Sequence, residues 1–146
     1  MSTTSDTTTA PIPFIEATDT RHGVVRPGIL ASVAAASATT ALAAIATAIG
    51  VRFADRSGST IPTLGFTALT LLFSFIGVGL AAALARRARH PRSAFIRTTL
   101  TLVLVSFIPD LAAGFDASAA ATLMSTHLVA AAIVIPTLAS RLAPRR

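Results

Sequence analysis

The chain has 146 residues, 53% hydrophobic and only 12% charged, with a formal charge of +6 and a sequence pI near 11.9. Soluble domains carry about a quarter charged residues, so this composition excludes an ordinary water-soluble core. The absence of Cys excludes disulfides, thiolate nucleophiles and cysteine metal ligands. The absence of Asn, Gln, Lys, Trp and Tyr leaves Ser and Thr hydroxyls, two titratable side chains and backbone freed by Pro or Gly as the polar repertoire inside any apolar span.

Residues 1–20, MSTTSDTTTAPIPFIEATDT, are rich in Thr and Ser and lack apolar periodicity, so they are expected to form a disordered tail ahead of one domain, 21–146. A cleaved signal peptide is not expected, because the tail is polar and the first apolar run is long enough to span. That run, about 27–51, opens at Pro27, where a helix start tolerates a missing N–H, and Gly50 is a plausible stop. The second span, about 62–85, follows SGSTIP, with Ser59 or Thr60 as candidate cap and Pro62 in the first turn. The third, about 93–115, carries Arg97 near its start and Asp110 well inside. The fourth, about 119–142, carries His127. About twenty residues cross a hydrocarbon core of about 30 Å, so all four runs suffice. The expected fold is all-α: an integral membrane bundle of four transmembrane helices, with short loops making neighbours antiparallel.

Arginines near span ends set orientation. The segment between spans two and three holds Arg86, Arg87, Arg89, Arg92 and Arg97, the C-terminus adds Arg141, Arg145 and Arg146, and the tail brings Arg21 and Arg26. These segments are expected on the cytoplasmic side of the cell membrane, so both termini lie inside. Arg52 and Arg56, partly offset by Asp55, are the discordant pair in the first outer loop. Arg97 can snorkel to the headgroups. The arginines flank spans rather than forming a stripe with interleaved aromatics, which speaks against nucleic acid as a partner. Arg86, Arg87, Arg89 and Arg92 are topology determinants and candidate contacts for anionic headgroups.

Two residues are candidates for an intramembrane polar site. Asp110 follows Pro109, and a carboxylate deep in a span costs about 2.5 to 3.5 kcal/mol on insertion scales. Either the helix kinks at Pro109 and exposes backbone beside the carboxylate, or it ends there and Asp110 lies in the outer interface. His127, within LMSTHLVAA, can donate from one ring nitrogen and accept at the other. At 1.5 Å per helical residue, the two differ in depth by about 7 Å, which tilt or side-chain reach can bridge without demonstrating contact. A facing Asp and His can pass a proton or bind a cation.

No HExxH spacing, Cys and His cluster or GxSxG elbow occurs, so no catalytic, metal or cofactor site is expected and enzyme activity is disfavoured. Small residues recur every fourth position at Ala31, Ala35, Thr39 and Ala43, at Ala36, Thr40, Ala44 and Ala48, and at Gly79 and Ala83. Such stripes let helices approach closely, but two on one span leave its partner face unassigned. Ser and Thr in the spans are expected to bond the preceding turn. No lipidation signal is present, since Ser2 stands where Gly is required and Cys is absent.

The stretch DASAAATLMSTHLVAAAIVIPTLASRL, read with the Thr-rich tail, the Ala-rich first span and the ARRARHPR loop, resembles a family of small four-span membrane proteins from actinobacteria known as a domain of unknown function. The resemblance covers about residues 21 to 143, although Ser125 and Thr126 separate Met124 from His127 where the family pattern has them closer. It implies that Asp116 and His127 belong to the family pattern and supplies no activity. The expected function is a non-enzymatic polytopic membrane protein, a structural or accessory component in lipid that forms homo-oligomers or meets a membrane partner. The alternative is a small transporter or proton-coupled carrier using Asp110 and His127.

Overall fold

The computed structural model describes residues 20–142, and the tail and the last four residues lie outside them. Four helices follow in order: α1 Thr20–Ala48, α2 Thr63–Arg87, α3 Pro91–Ala112 and α4 Ala117–Ala139. All four contain stretches long and apolar enough to cross a membrane. Among the described residues there is no strand, only one bridge between Ala54 and Thr60.

Helix starts depart from the sequence expectations at two prolines. α1 begins at Thr20, so Pro27 lies inside it rather than at its start. The preceding turn stays helical because Val24, 2% exposed, docks into the core and keeps that segment ordered. Pro62 is the N-cap of α2, and neither Ser59 nor Thr60 caps it. Both belong instead to a small hairpin closed by Asp55, whose Oδ1 accepts the Ser57 hydroxyl at 2.6 Å and the amides of Ser57 at 2.8 Å and Ser59 at 2.9 Å. The Ser57 hydroxyl is the foremost influence holding Asp55 below its ordinary carboxylate value. Phe53 closes the hairpin's inner face by meeting Phe66 of α2 edge-on, with centroids 4.9 Å apart.

The helix C-termini use glycine where the chain must turn left. Gly50, at φ +95°, ends α1 with the paired bonds of a Schellman motif: Val51 N–H to Ala46 O at 2.9 Å and Gly50 N–H to Thr47 O at 3.0 Å. Gly114, also at positive φ (+73°), follows α3.

α1 packs on α2 and α4, α3 packs on α4 and α2, and α2 meets α4, whereas no Cα of α1 comes within 8 Å of one in α3. The α1 face is the stripe Ala31, Ala35, Thr39 and Ala43, all 5% exposed or less, joined by Ala36 of the alternative stripe, whose Ala44 and Ala48 are exposed. Gly28 continues the buried face, and an added Cβ there would lie 2.6 Å from Val78 and 3.2 Å from Leu138. The Gly79 and Ala83 stripe, by contrast, is exposed and points away from the bundle; α2 buries Ser74, Val78 and Ala81 instead.

α3 is the least embedded helix. It buries only Pro91, Phe95 and Asp110, and leaves Leu100, Leu102, Leu104, Val105, Ile108 and Leu111 exposed. Its buried residues lie at two places. Pro91 and Phe95 pack into the bundle beside the α2–α3 loop, the arginine end, while Asp110 meets α4 toward the hairpin end.

Candidate functional site

The helix does not end at Pro109. α3 continues to Ala112, and the Ala113 amide bonds the Pro109 carbonyl at 2.9 Å, so Asp110 sits in the last turn rather than in a loop. In an apolar medium an unmade backbone bond costs several kcal/mol, which favours completing that turn. Asp110 is 6% exposed.

Asp110 Oδ2 lies 3.1 Å from His127 Nδ1. Side-chain direction explains how the expected depth gap closes. Helix side chains lean toward their own N-terminus, and α3 and α4 run antiparallel. Asp110, nearer the hairpin end, leans away from that end; His127, deeper in the bundle, leans toward it. The two tips converge. Phe107, one turn before Asp110 on α3, borders the same imidazole with ring centroids 6.1 Å apart.

The pair is close without being aligned. Both Asp110 Oδ2 and His127 Nδ1 are shielded from solvent and neither makes a hydrogen bond of good angular geometry. The 3.1 Å separation and the missing hydrogen bond describe one arrangement: the atoms are at bonding distance, but the ring N–H is not directed at the oxygen. The His127 side chain is 36% exposed, so the ring is enclosed on only part of its surface. Chemically the arrangement can share a proton between carboxylate and imidazole. Among the described residues no group of three or more His, Asp or Glu gathers there or elsewhere to hold a metal.

The other expected residues lie elsewhere. Asp116 is the exposed N-cap residue of α4, makes no side-chain cap bond and stands apart from the pair. Arg86, Arg87, Arg89 and Arg92 are exposed at the arginine end.

Most Ser and Thr hydroxyls bond their own helix, as Ser32 does to Gly28 O at 2.8 Å and Thr99 to Phe95 O at 2.8 Å. Two Thr pairs depart from this by crossing between helices: Thr39 to Thr70 at 3.0 Å and Thr40 to Thr67 at 2.6 Å. The sequence signal available for them was adjacent Thr on α1 and a Thr repeat at 67 and 70 on α2. A third contact was not visible from the sequence. The Arg56 guanidinium lies over Gly114, where an added Cβ would sit 2.8 Å from Nε, and the Arg56 amide bonds Ala113 O at 3.2 Å. This places a cation against the carbonyl end of α3, where the helix dipole is negative.

Residues 19–144 match the model of a family of unknown function, DUF6069. No curated protein and no solved structure matches the chain.

Proposed function

Because the chain belongs to the DUF6069 family, whose function is unknown, we propose a role from its own geometry: a non-enzymatic multi-pass membrane protein that serves as a structural or accessory component. The observation that carries this reading is the outward face of α2. Gly79 and Ala83 are exposed, no side chain stands within 4 Å of a Cβ added at Gly79, and Leu72, Phe73 and Ile76 lie exposed on the same helix. Small residues one turn apart suit close approach of another helix in lipid, where packing rather than hydrophobicity drives association. Partners are therefore lipid together with a second copy or another membrane protein, and nucleic acid has no part in this reading. Cross-linking in native membranes tests it: adducts larger than the monomer are expected, and recovery of monomer alone at every expression level contradicts it.

The Asp110 and His127 contact favours a second reading, a small proton-coupled carrier, working as a dimer because four helices make a thin wall for a pathway. Flux in proteoliposomes would then fall in Asp110→Ala and His127→Ala proteins that insert normally; unchanged flux removes this reading.

The location proposed is the cell membrane with both termini cytoplasmic. Arg86, Arg87, Arg89, Arg92 and Arg97 at one end support it and outnumber Arg52 and Arg56 at the other. Accessibility tags near Arg89 and Asp116 in intact cells test the assignment, and labelling near Arg89 from outside reverses it. We also read the family as one of small four-span proteins of actinobacteria, a reading that the four apolar helices of this chain support in span number.

A further inference from the structure

The arginine end holds a shallow cleft at the corner between α2 and α3. Its larger lobe, about 430 Å³, is lined by Ala88, Arg89, His90, Ser93, Ala94 and Arg97, and it adjoins a lobe of about 260 Å³ that adds Arg87. The sequence and the fold build it together. His90, Ser93 and Arg97 recur at helical spacing along one side of α3, all exposed, while Pro91 and Phe95 are buried on the opposite side and fix that orientation. Ala88 and Ala94 have side chains too small to fill the space between the cations, so the cleft has a small apolar floor and a basic, hydroxyl-bearing rim.

No carboxylate balances that rim among the described residues. Asp55, Asp110 and Asp116 all belong to the hairpin half of the molecule. Guanidinium groups bind phosphate oxygens in a fork geometry, and Ser93 adds a neutral donor. Arg97 stands about 9 Å along α3 from Pro91, within snorkelling reach of a headgroup layer.

We propose that this cleft binds a phosphate-bearing anion, with Arg89, His90, Ser93 and Arg97 as its polar contacts. The structure narrows the arginines that matter, because Arg92 is exposed outside the cleft. The phosphate belongs either to an anionic lipid headgroup or to a free solute, and the two sources are separable by experiment.

The full-length protein is to be reconstituted in nanodiscs of phosphatidylcholine with and without phosphatidylglycerol, and bound lipid counted by native mass spectrometry after release. A second arm titrates inorganic phosphate in phosphatidylcholine nanodiscs alone. Each Arg near a membrane surface adds roughly 1 kcal/mol, about fivefold in affinity. Arg89→Gln and Arg97→Gln are each expected to lower phosphatidylglycerol retention about fivefold, whereas Arg92→Gln, with the same charge change, leaves it near wild type. Ala94→Leu keeps every charge and fills the floor, so it too should lower retention. If phosphate binds in the second arm with the same dependence while lipid does not, the site stands and its ligand is a solute. Equal losses from Arg92→Gln and Arg97→Gln, with no effect of Ala94→Leu, would mean diffuse surface charge and overturn the proposal.

Discussion

Asp110 and His127, 17 positions apart in sequence and on antiparallel helices, meet at 3.1 Å where the hairpin end of α3 packs on α4. Apolar side chains gain little by leaving lipid for a neighbouring helix, so a polar contact carries unusual weight in fixing where α3 sits. The contact should appear as coupling in a double-mutant cycle. His127→Ala removes the polar group beside a buried carboxylate and should cost more stability than Asp110→Ala, which leaves a half-buried imidazole. The double variant should cost less than the two single costs combined, with a coupling of about 0.6 to 1.7 kcal/mol. Costs that add within about 0.5 kcal/mol would show that the pair does not interact.

Close approach of α1 to its neighbours depends on Gly28. A Cβ at 2.6 Å from Val78 Cγ2 forces a shift, so Gly28→Ala should destabilise by about 1 to 3 kcal/mol. Val78→Ala in the same chain should recover part of that loss, as measured by unfolding in mixed micelles. Failure of Val78→Ala to rescue would mean that the approach is looser than described.

Gly114 answers to a φ of +73°, and the Arg56 guanidinium above it is the mobile end of a long side chain. Gly114→Ala should cost about 1 to 2 kcal/mol, the left-handed backbone penalty, because the guanidinium can shift aside. Adding Arg56→Ala leaves that penalty in place, so it should recover little of the loss. Full rescue would leave no backbone cost to explain.

The Asp55 hairpin should be acid-sensitive. Its carboxylate is held below the ordinary value, chiefly by the Ser57 hydroxyl, so the folded state binds that proton less readily than the unfolded chain. The contribution is therefore complete above the ordinary carboxylate range and is lost as pH falls through the lowered value. Amide exchange at Ser57 and Ser59 should accelerate only in acid, relative to the intrinsic rate, and Asp55→Asn should abolish that dependence. Loss of protection already between neutral and mildly acidic pH would assign it to another group.

The four spans were legible in the sequence because charge is confined to their ends, and hydrocarbon admits little else between. Gly50 was legible for a similar reason, since few other residues adopt its positive φ. Pro109 was ambiguous, because its ring disfavours a helix while apolar surroundings demand that backbone bonds be made; the second effect prevails and brings Asp110 into α3. The two alanine stripes of α1 were indistinguishable by size, and the positions of α2 and α4 bury all of Ala31, Ala35, Thr39 and Ala43 together with Ala36, and bring Thr40 against Thr67, while leaving Ala44 and Ala48 exposed. Gly79 and Ala83 carry the same signal but face outward, so small-residue spacing alone does not reveal which helix it serves. The meeting of Arg56 with Gly114 joins residues 58 positions apart through loop geometry, for which the sequence offers no periodic signal.

The central claim is that α3 and α4 pack in the register that brings Asp110 against His127. Since the chain contains no Cys, an engineered pair reacts without background. Asp110→Cys with His127→Cys should join intramolecularly in membranes through a short bifunctional thiol reagent, and much faster than Leu104→Cys with His127→Cys, in which the exposed position 104 faces away from α4. Equal or slower joining of the 110 and 127 pair would contradict the contact and the register built on it.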